Sequence, residues 1–211
     1  MRISIGIDLD NTLINYDTSM HTLAWKHGFL TSEIPKNKSS VRDHIRNLPD
    51  GEFLWQQLQA DVYGPGIMNA ELSEGSLEFL EKCSDLGVTI FLISHKTKFA
   101  KQDSTGTNLH QAALHWLSTH AIIDTPDLHI KRSNVFFEKT VSDKITRIRN
   151  THCSAFIDDL EDVLLHIDFP DNTTKILYSR DPQTSSRNFS LVTDNWAKIY
   201  THLYNQIINA R

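Results

Sequence analysis

Short apolar runs alternate with amphipathic stretches along most of this chain. Runs rich in branched and aromatic side chains predict buried strands at 3–9, 88–93, 134–137, 153–157 and 174–178. Between and after them, apolar side chains recur every three or four positions, which predicts helices at 75–86, 107–119, 141–150 and 194–208. Strands that alternate with helices are typical of a doubly wound parallel sheet, so the pattern predicts an α/β fold.

Two details of this pattern predict packing. Leu77, Leu80 and Cys83 fall on one face of the first of these helices, and we expect that face to be buried. The last helix carries an apolar and aromatic stripe beginning at Trp196. We interpret the stripe as a packing face, with a dimer surface as the alternative.

Residues 14–72 interrupt the alternation. This segment has no strong strand pattern, shows helical stretches near 17–28, 39–47 and 51–62, and is broken by Gly64-Pro65-Gly66. We therefore divide the chain into an α/β core domain, 1–13 and 73–211, and a helical insertion, 14–72. Four aromatic side chains of the insertion suit either stacking on a base or sugar or packing between its helices: Trp25, Phe29, Phe53 and Trp55.

Polar side chains collect where three of the predicted strands end. Asp8-Leu9-Asp10-Asn11-Thr12 follows the first strand, Ser94-His95-Lys96 the second, and Asp158-Asp159 the fourth. Lys144 lies near the start of the helix before Asp158. Each feature alone has an ordinary explanation: an Asx turn or helix cap for the acids, a turn for the serine, a solvated surface for the lysine.

Together these residues suit phosphate chemistry, because open α/β sheets bind ligands at the carboxyl ends of their strands. Two carboxylates two residues apart, Asp8 and Asp10, can hold a hard cation and divide nucleophilic and acid/base roles. The Ser94 hydroxyl and neighbouring N–H groups can bind a phosphoryl oxygen.

Taken in chain order, Asp8-Leu9-Asp10-Asn11-Thr12, Ser94, Lys144 and Asp158-Asp159 resemble the four motifs of the haloacid dehalogenase superfamily of phosphohydrolases. The resemblance covers most of the chain. Residues 5–14, 143–144 and 157–159 look like deoxynucleotidase-type members, whereas 94–97, 113–117 and 156–160 look more like uncharacterised bacterial members. Neither likeness fixes a substrate. In this superfamily such an insertion is a small helical cap over the active site.

The resemblance implies a role for each motif. Asp8 is the expected nucleophile and Asp10 the acid/base. Mg²⁺ is expected between Asp8, the backbone carbonyl of Asp10 and Asp158, with Asp159, or alternatively Asp162, orienting its waters.

Phosphoryl oxygens are expected at Ser94 and Lys144. Lys139, five residues earlier, is the alternative lysine. Three further phosphate-binding candidates follow the strand ends: Asn11, Thr12 and His95.

The implied function is a Mg²⁺-dependent hydrolase of a small-molecule phosphate monoester that works through an aspartyl-phosphate. A phosphotransferase using the same intermediate and a catalytically idle binding domain are the alternatives. Dehalogenase chemistry is disfavoured because it does not use the second aspartate, Asp10. A receiver-type signalling domain is disfavoured because its lysine comes last, whereas Lys144 precedes Asp158.

Composition narrows the partners and the compartment. The 211 residues are 39% hydrophobic and carry a net charge of −5, which fits a cytoplasmic protein and argues against a nucleic-acid polymer as partner. We expect no membrane span, no signal peptide, and a monomer or homodimer. The two cysteines, Cys83 and Cys153, lack a C-x-x-C partner and are expected to be reduced core thiols.

Overall fold

The computed structural model describes residues 3–31, 33–103, 105–180 and 186–205. Eight strands occur among these residues: β1 Ser4–Ile7, β2 Ile14–Asn15, β3 Glu71–Leu72, β4 Thr89–His95, β5 Val135–Glu138, β6 Ala155–Asp158, β7 Thr174–Leu177 and β8 Leu191–Val192. The α-helices of the same ranges are α1 Asp17–Lys26, α2 Lys38–Arg46, α3 Gly51–Tyr63, α4 Ser76–Asp85, α5 Leu109–Thr119, α6 Val141–Asn150, α7 Glu161–Leu164 and α8 Trp196–Leu203. The end predicted for the last helix, 206–208, lies outside the described residues.

Six strands form one parallel sheet in the order β5-β4-β1-β6-β7-β8. Helices α4 and α6 lie between successive strands of this sheet in the chain. The predicted α/β fold is therefore confirmed. β2 and β3 pair separately.

The first strand lies in the middle of the sheet, between β4 and β6. Ile5 and Ile7 are fully buried, as their branched side chains predict. Gly6 between them has no room for a side chain, because an added Cβ would come within 2.4 Å of the Phe156 ring and 2.9 Å of Cys153 Sγ. The strand that leads to Asp8 is thus fixed by close packing on the next strand.

The chain forms two compact units. The first contains Met1–Leu13, Leu72–Lys96 and Ala121–Arg211, and the second contains Ile14–Glu71 and Thr97–His120. The sequence division had assigned 97–120 to the α/β core, whereas the structure groups it with the helical segment.

The packing of α5 explains this difference. The Trp116 indole N–H donates to the carbonyl of Ala70 at 3.1 Å, and the Leu109 side chain lies close to Gly64. Periodicity shows that a helix has a buried face, but it does not show which element covers that face.

The packing predictions for α4 and α8 were partly right. Leu80 and Cys83 are buried, but Leu77 is 41% exposed and Phe79 takes its place on the buried face. The Phe79 ring lies 5.0 Å from that of Trp196, so the stripe of α8 is a packing face, as we predicted.

The aromatic residues of the helical unit differ in exposure. Trp55 is buried, which fits packing between helices, whereas Trp25 and Phe53 are about half exposed, at 53% and 51%. Phe29 stacks on His27 with ring centroids 5.2 Å apart.

Both cysteines are free and buried, which confirms the predicted core thiols. Among the described residues, no helix combines the length and apolar character that crossing a membrane requires.

Candidate active site

Asp8 lies directly after the central strand, at the carboxyl edge of the sheet. Its backbone N–H donates to the carbonyl of Ile157 at 2.9 Å, so the ladder with β6 extends to this residue. The chain then turns through Asn11, which has a φ of 66°, in the left-handed region that asparagine tolerates best after glycine. Asp8 is consequently held on a rigid strand end while Asp10 follows in the turn.

Asp158 ends the neighbouring strand β6 and is fully buried. Its Oδ1 accepts the N–H of Leu160 at 2.9 Å, and its Oδ2 lies 2.6 Å from Lys144 Nζ. Both oxygens therefore have assigned partners, which fix the orientation of this carboxylate.

Lys144 links the two carboxylates. Its Nζ donates to Asp8 Oδ1 and to Asp158 Oδ2, both at 2.6 Å, and the residue is only 1% exposed. Helix α6, which carries it, begins at a Thr140 cap that accepts the Asp143 N–H at 3.0 Å. The alternative lysine, Lys139, is exposed, so the structure brings Lys144 rather than Lys139 to the carboxylates.

Burial dominates the electrostatics of this group. It raises the pKa of Asp8 well above the usual value; Lys144 opposes this shift, and the charges of Asp158, Asp159 and Asp10 add to it. Burial alone would lower the pKa of Lys144, but the two carboxylates beside it outweigh that effect and raise it. The cluster therefore brings together more carboxyl groups than one ammonium group can neutralise.

This excess of buried carboxylate fits a divalent cation. Ligand oxygens of Asp8, Asp158 and Asp159 all lie within 4.8 Å of one another. They are hard oxygen donors of the kind that Mg²⁺ prefers. Asp159 is half-buried, whereas Asp162, the alternative, is exposed.

The carboxylate of Asp10 is outside this group. Its Oδ2 lies 2.8 Å from Lys96 Nζ. The predicted role of Asp10 as a metal ligand was through its backbone carbonyl, and that role stays a prediction.

Three buried polar atoms near the carboxyl end of the central strands lack hydrogen-bond partners among the described residues. Ser94 lies near the carboxyl end of β4, the other neighbour of β1 in the sheet. Its buried Oγ has no hydrogen-bond partner among the described residues, and the same holds for Thr12 Oγ1 and Asn11 Oδ1. Buried hydroxyls without partners are uncommon and suit a ligand that accepts their protons. The Asn11 oxygen is an acceptor, so it suits a hydroxyl or water better than a phosphoryl oxygen.

His95 and Lys96 lie on opposite faces of the strand end that carries Ser94, and it is Lys96 that shares the face of Ser94. Successive side chains of a strand point to opposite faces, so Ser94 and the residue two further on share a face that His95 does not. His95 is exposed, with Nε2 3.0 Å from the Lys139 carbonyl, whereas Lys96 is buried. Sequence reasoning missed Lys96, although the alternation beyond Ser94 would have pointed to it.

Comparison with known proteins adds evidence on the fold. No family model and no curated protein matches the sequence. A haloacid dehalogenase-like hydrolase from Streptococcus pneumoniae is similar in structure, with a TM-score of 0.61 and 13% identity over 96% of this chain and 98% of that one.

Two further solved structures are similar. A haloacid dehalogenase family hydrolase from Deinococcus radiodurans, solved with phosphate and sodium, has a TM-score of 0.56 and 12% identity over 98% of this chain and 97% of that one. A structure described as a dehalogenase has a TM-score of 0.52 and 10% identity over 95% of this chain and 96% of that one.

These likenesses cover nearly the whole length of each chain, and they agree with the α/β fold of the parallel sheet. At such low identity they establish the fold and leave the reaction open. The resemblance seen in the sequence is confirmed at this level: the chain has the fold of the haloacid dehalogenase superfamily of hydrolases.

Proposed function

We propose that this protein is a Mg²⁺-dependent phosphohydrolase that cleaves a small-molecule phosphate monoester through a phosphoenzyme on Asp8. The observation that carries the proposal is the buried cluster in which Lys144 Nζ lies 2.6 Å from both Asp8 and Asp158, with Asp159 within ligand distance. Such a cluster is costly to bury unless a function retains it.

The first step is phosphoryl transfer to Asp8. Lys144 orients the carboxylate through Oδ1, and a carboxylate oxygen forms a bond to phosphorus as the bond to the leaving oxygen breaks. Asp10 gives its proton to that leaving oxygen. The hydroxyl of Ser94 donates to a phosphoryl oxygen.

The second step is hydrolysis of the phosphoenzyme. Asp10, now deprotonated, takes a proton from water as the water oxygen attacks phosphorus, and the bond to Asp8 breaks. Inorganic phosphate leaves and both aspartates return to their first state. Mg²⁺, held by Asp8, Asp158 and Asp159, would supply positive charge to offset that of the phosphoryl oxygens.

The buried acidic cluster favours this reaction over carbon–halogen cleavage. A cation site beside the nucleophile helps to neutralise a phosphate, whereas a haloacid brings one carboxylate and needs no such site. The solved structure with phosphate and sodium belongs to a protein with the same fold, which supports an anionic phosphate ligand here.

The test is a phosphate-release assay over a panel of monoesters with Mg²⁺, combined with rapid-quench mass spectrometry. We expect turnover and a phosphate-sized mass increment on the peptide containing Asp8. Asp8→Asn should abolish both, while Asp85→Asn, an exposed aspartate at the end of α4, should change neither.

Each of the other outcomes would indicate a different reaction or function. Halide release from a 2-haloacid, or an increment mapping to Ser94 or a histidine, would refute the mechanism. A stable phosphoenzyme that transfers to an added alcohol would indicate a phosphotransferase. A folded protein that turns over none of the monoesters would indicate an idle binding domain.

The role of the helical segment as a cap is part of the same proposal. Deleting 14–72 alone would remove the packing partners of α5, so point substitutions are the better test. Trp25→Ala and Phe53→Ala alter half-exposed aromatic side chains. We expect them to change the ranking of substrates in the panel, and an unchanged ranking would count against contact with the substrate.

A further inference from the structure

Lys96 is a buried cation at the end of β4. Its backbone N–H donates to the Glu138 carbonyl at 3.0 Å, which ties its backbone to the neighbouring strand. Its Nζ lies 2.8 Å from Asp10 Oδ2, and its side chain is 3% exposed. A buried ammonium group is tolerated when a carboxylate compensates its charge, so the burial of Lys96 depends on its ion pair with Asp10.

Asp10 differs from Asp8 in how it is held. Asp8 extends the β1–β6 ladder, whereas Asp10 lies two residues further on, beyond the end of β1. The ammonium group from the adjacent strand holds one of its two oxygens. That contact restricts the rotamers open to the Asp10 side chain.

We infer that Lys96 is a positioning residue for Asp10, holding the carboxyl group where it exchanges a proton with the leaving oxygen and then with water. The inference rests on the proposed function, since it concerns the acid/base of that reaction. Lys96 acts through Asp10 and makes no bond to phosphorus.

This role has a signature that direct phosphate binding by Lys96 would not give. Loss of a positioning residue harms only the steps in which Asp10 moves a proton. A good leaving group such as p-nitrophenolate departs with little protonation, whereas an alkoxide needs its proton. Loss of a phosphate ligand would slow both esters alike and raise KM.

The experiment compares Lys96→Met with Asp10→Asn, the double variant and a control. Lys131→Met, at an exposed lysine just before β5, is the control because it removes a charge at the other edge of the sheet. For an alkyl phosphate we expect kcat of Lys96→Met to fall about 10²-fold, as for a misplaced acid. The burst of p-nitrophenol from p-nitrophenyl phosphate should stay within about 3-fold of wild type, and the phosphoenzyme should accumulate.

The activity of the double variant decides whether Lys96 acts through Asp10. If Lys96 acts through Asp10, adding Lys96→Met to Asp10→Asn costs no further activity, since residues that work as a unit are not additive. Lys96→Arg, which keeps the charge, should restore part of the loss. Thermal unfolding of each variant checks folding, and Lys96→Gln replaces Lys96→Met if the latter does not fold.

Several results would overturn the inference while leaving the phosphohydrolase in place. These are additive losses in the double variant, equal losses for both esters, or a raised KM with kcat unchanged. A wild-type protein without turnover would instead refute the proposed function itself, and the inference would fall with it.

Discussion

Replacing Lys144 by methionine should destabilise the metal-free protein strongly. The substitution keeps an unbranched apolar stem but removes the ammonium group that lies 2.6 Å from Asp8 and from Asp158. Both carboxyl groups would then face each other in a buried position without compensation. Breaking a buried ion pair in this way costs about 3–5 kcal/mol.

The expected loss is large enough for a thermal melt. For a protein of this size 1 kcal/mol corresponds to about 2–4 °C in Tm, so the variant should melt about 6–20 °C below wild type in EDTA at pH 7. Lys139→Met is the matched control, since Lys139 is exposed and five residues away. It should lie within about 0.5 kcal/mol of wild type.

The pH dependence of the loss has a defined sign. Burial raises the pKa of Asp8 well above its ordinary value, and removing Lys144 takes away the main influence that lowers it. The folded variant therefore binds a proton that the unfolded chain releases, so its stability rises as the pH falls from the raised pKa toward the ordinary one. The gap to wild type should narrow at pH 5 relative to pH 7.

A loss below about 1 kcal/mol at pH 7 would refute the reasoning, because it would mean that the carboxylates are not held together as described. A gap that widens at pH 5 would contradict the assigned direction of the Asp8 shift. Equal losses in Lys144→Met and Lys139→Met would show a general charge effect instead.

Three further predictions follow from the packing and the charges. EDTA should abolish phosphate release and added Mg²⁺ should restore it, whereas full activity in the chelator would exclude the proposed metal site. Asp158→Asn should weaken Mg²⁺ binding at least about 10-fold when the affinity is measured by calorimetry. Burial raises the pKa of the Cys83 thiol to about 12 and that of Cys153 to about 11, so a thiol reagent at pH 8 should react only after unfolding; prompt reaction of the native protein would contradict their burial. Gly6→Ala would place a Cβ 2.4 Å from the Phe156 ring and should lower the free energy of unfolding in urea by about 1–3 kcal/mol. An unchanged unfolding midpoint would mean that the packing between β1 and β6 adjusts to the added methyl group.

The sequence predicted the strands that build the site because their signal is local. Branched residues such as Ile5 and Ile7 mark a buried strand, and parallel strands bring their carboxyl ends together whatever the loops do. Asp8 and Asp158 could therefore be placed at one edge of the sheet. Lys144 could be proposed from motif order, but only the structure shows its contacts with both acids.

The structure differs from the sequence predictions where the answer depends on contacts between distant parts of the chain. Helix α5 has a clear apolar face, but which unit covers that face depends on the tertiary fold. His95 was proposed because it follows Ser94 directly, whereas the strand alternation places Lys96 on the same face as Ser94. β8, of two residues, carries too few side chains to show a pattern.

The ion pairs of Lys144 differ greatly in sequence separation, and this difference bears on how the protein folds. Lys144 and Asp158 are 14 residues apart, whereas Lys144 and Asp8 are 136 apart. Contacts between distant residues form slowly because the intervening chain loses entropy when its ends meet. The region from β5 to β6 can therefore organise before the first strand inserts between β4 and β6, and recovery of Mg²⁺ binding during refolding would report that insertion.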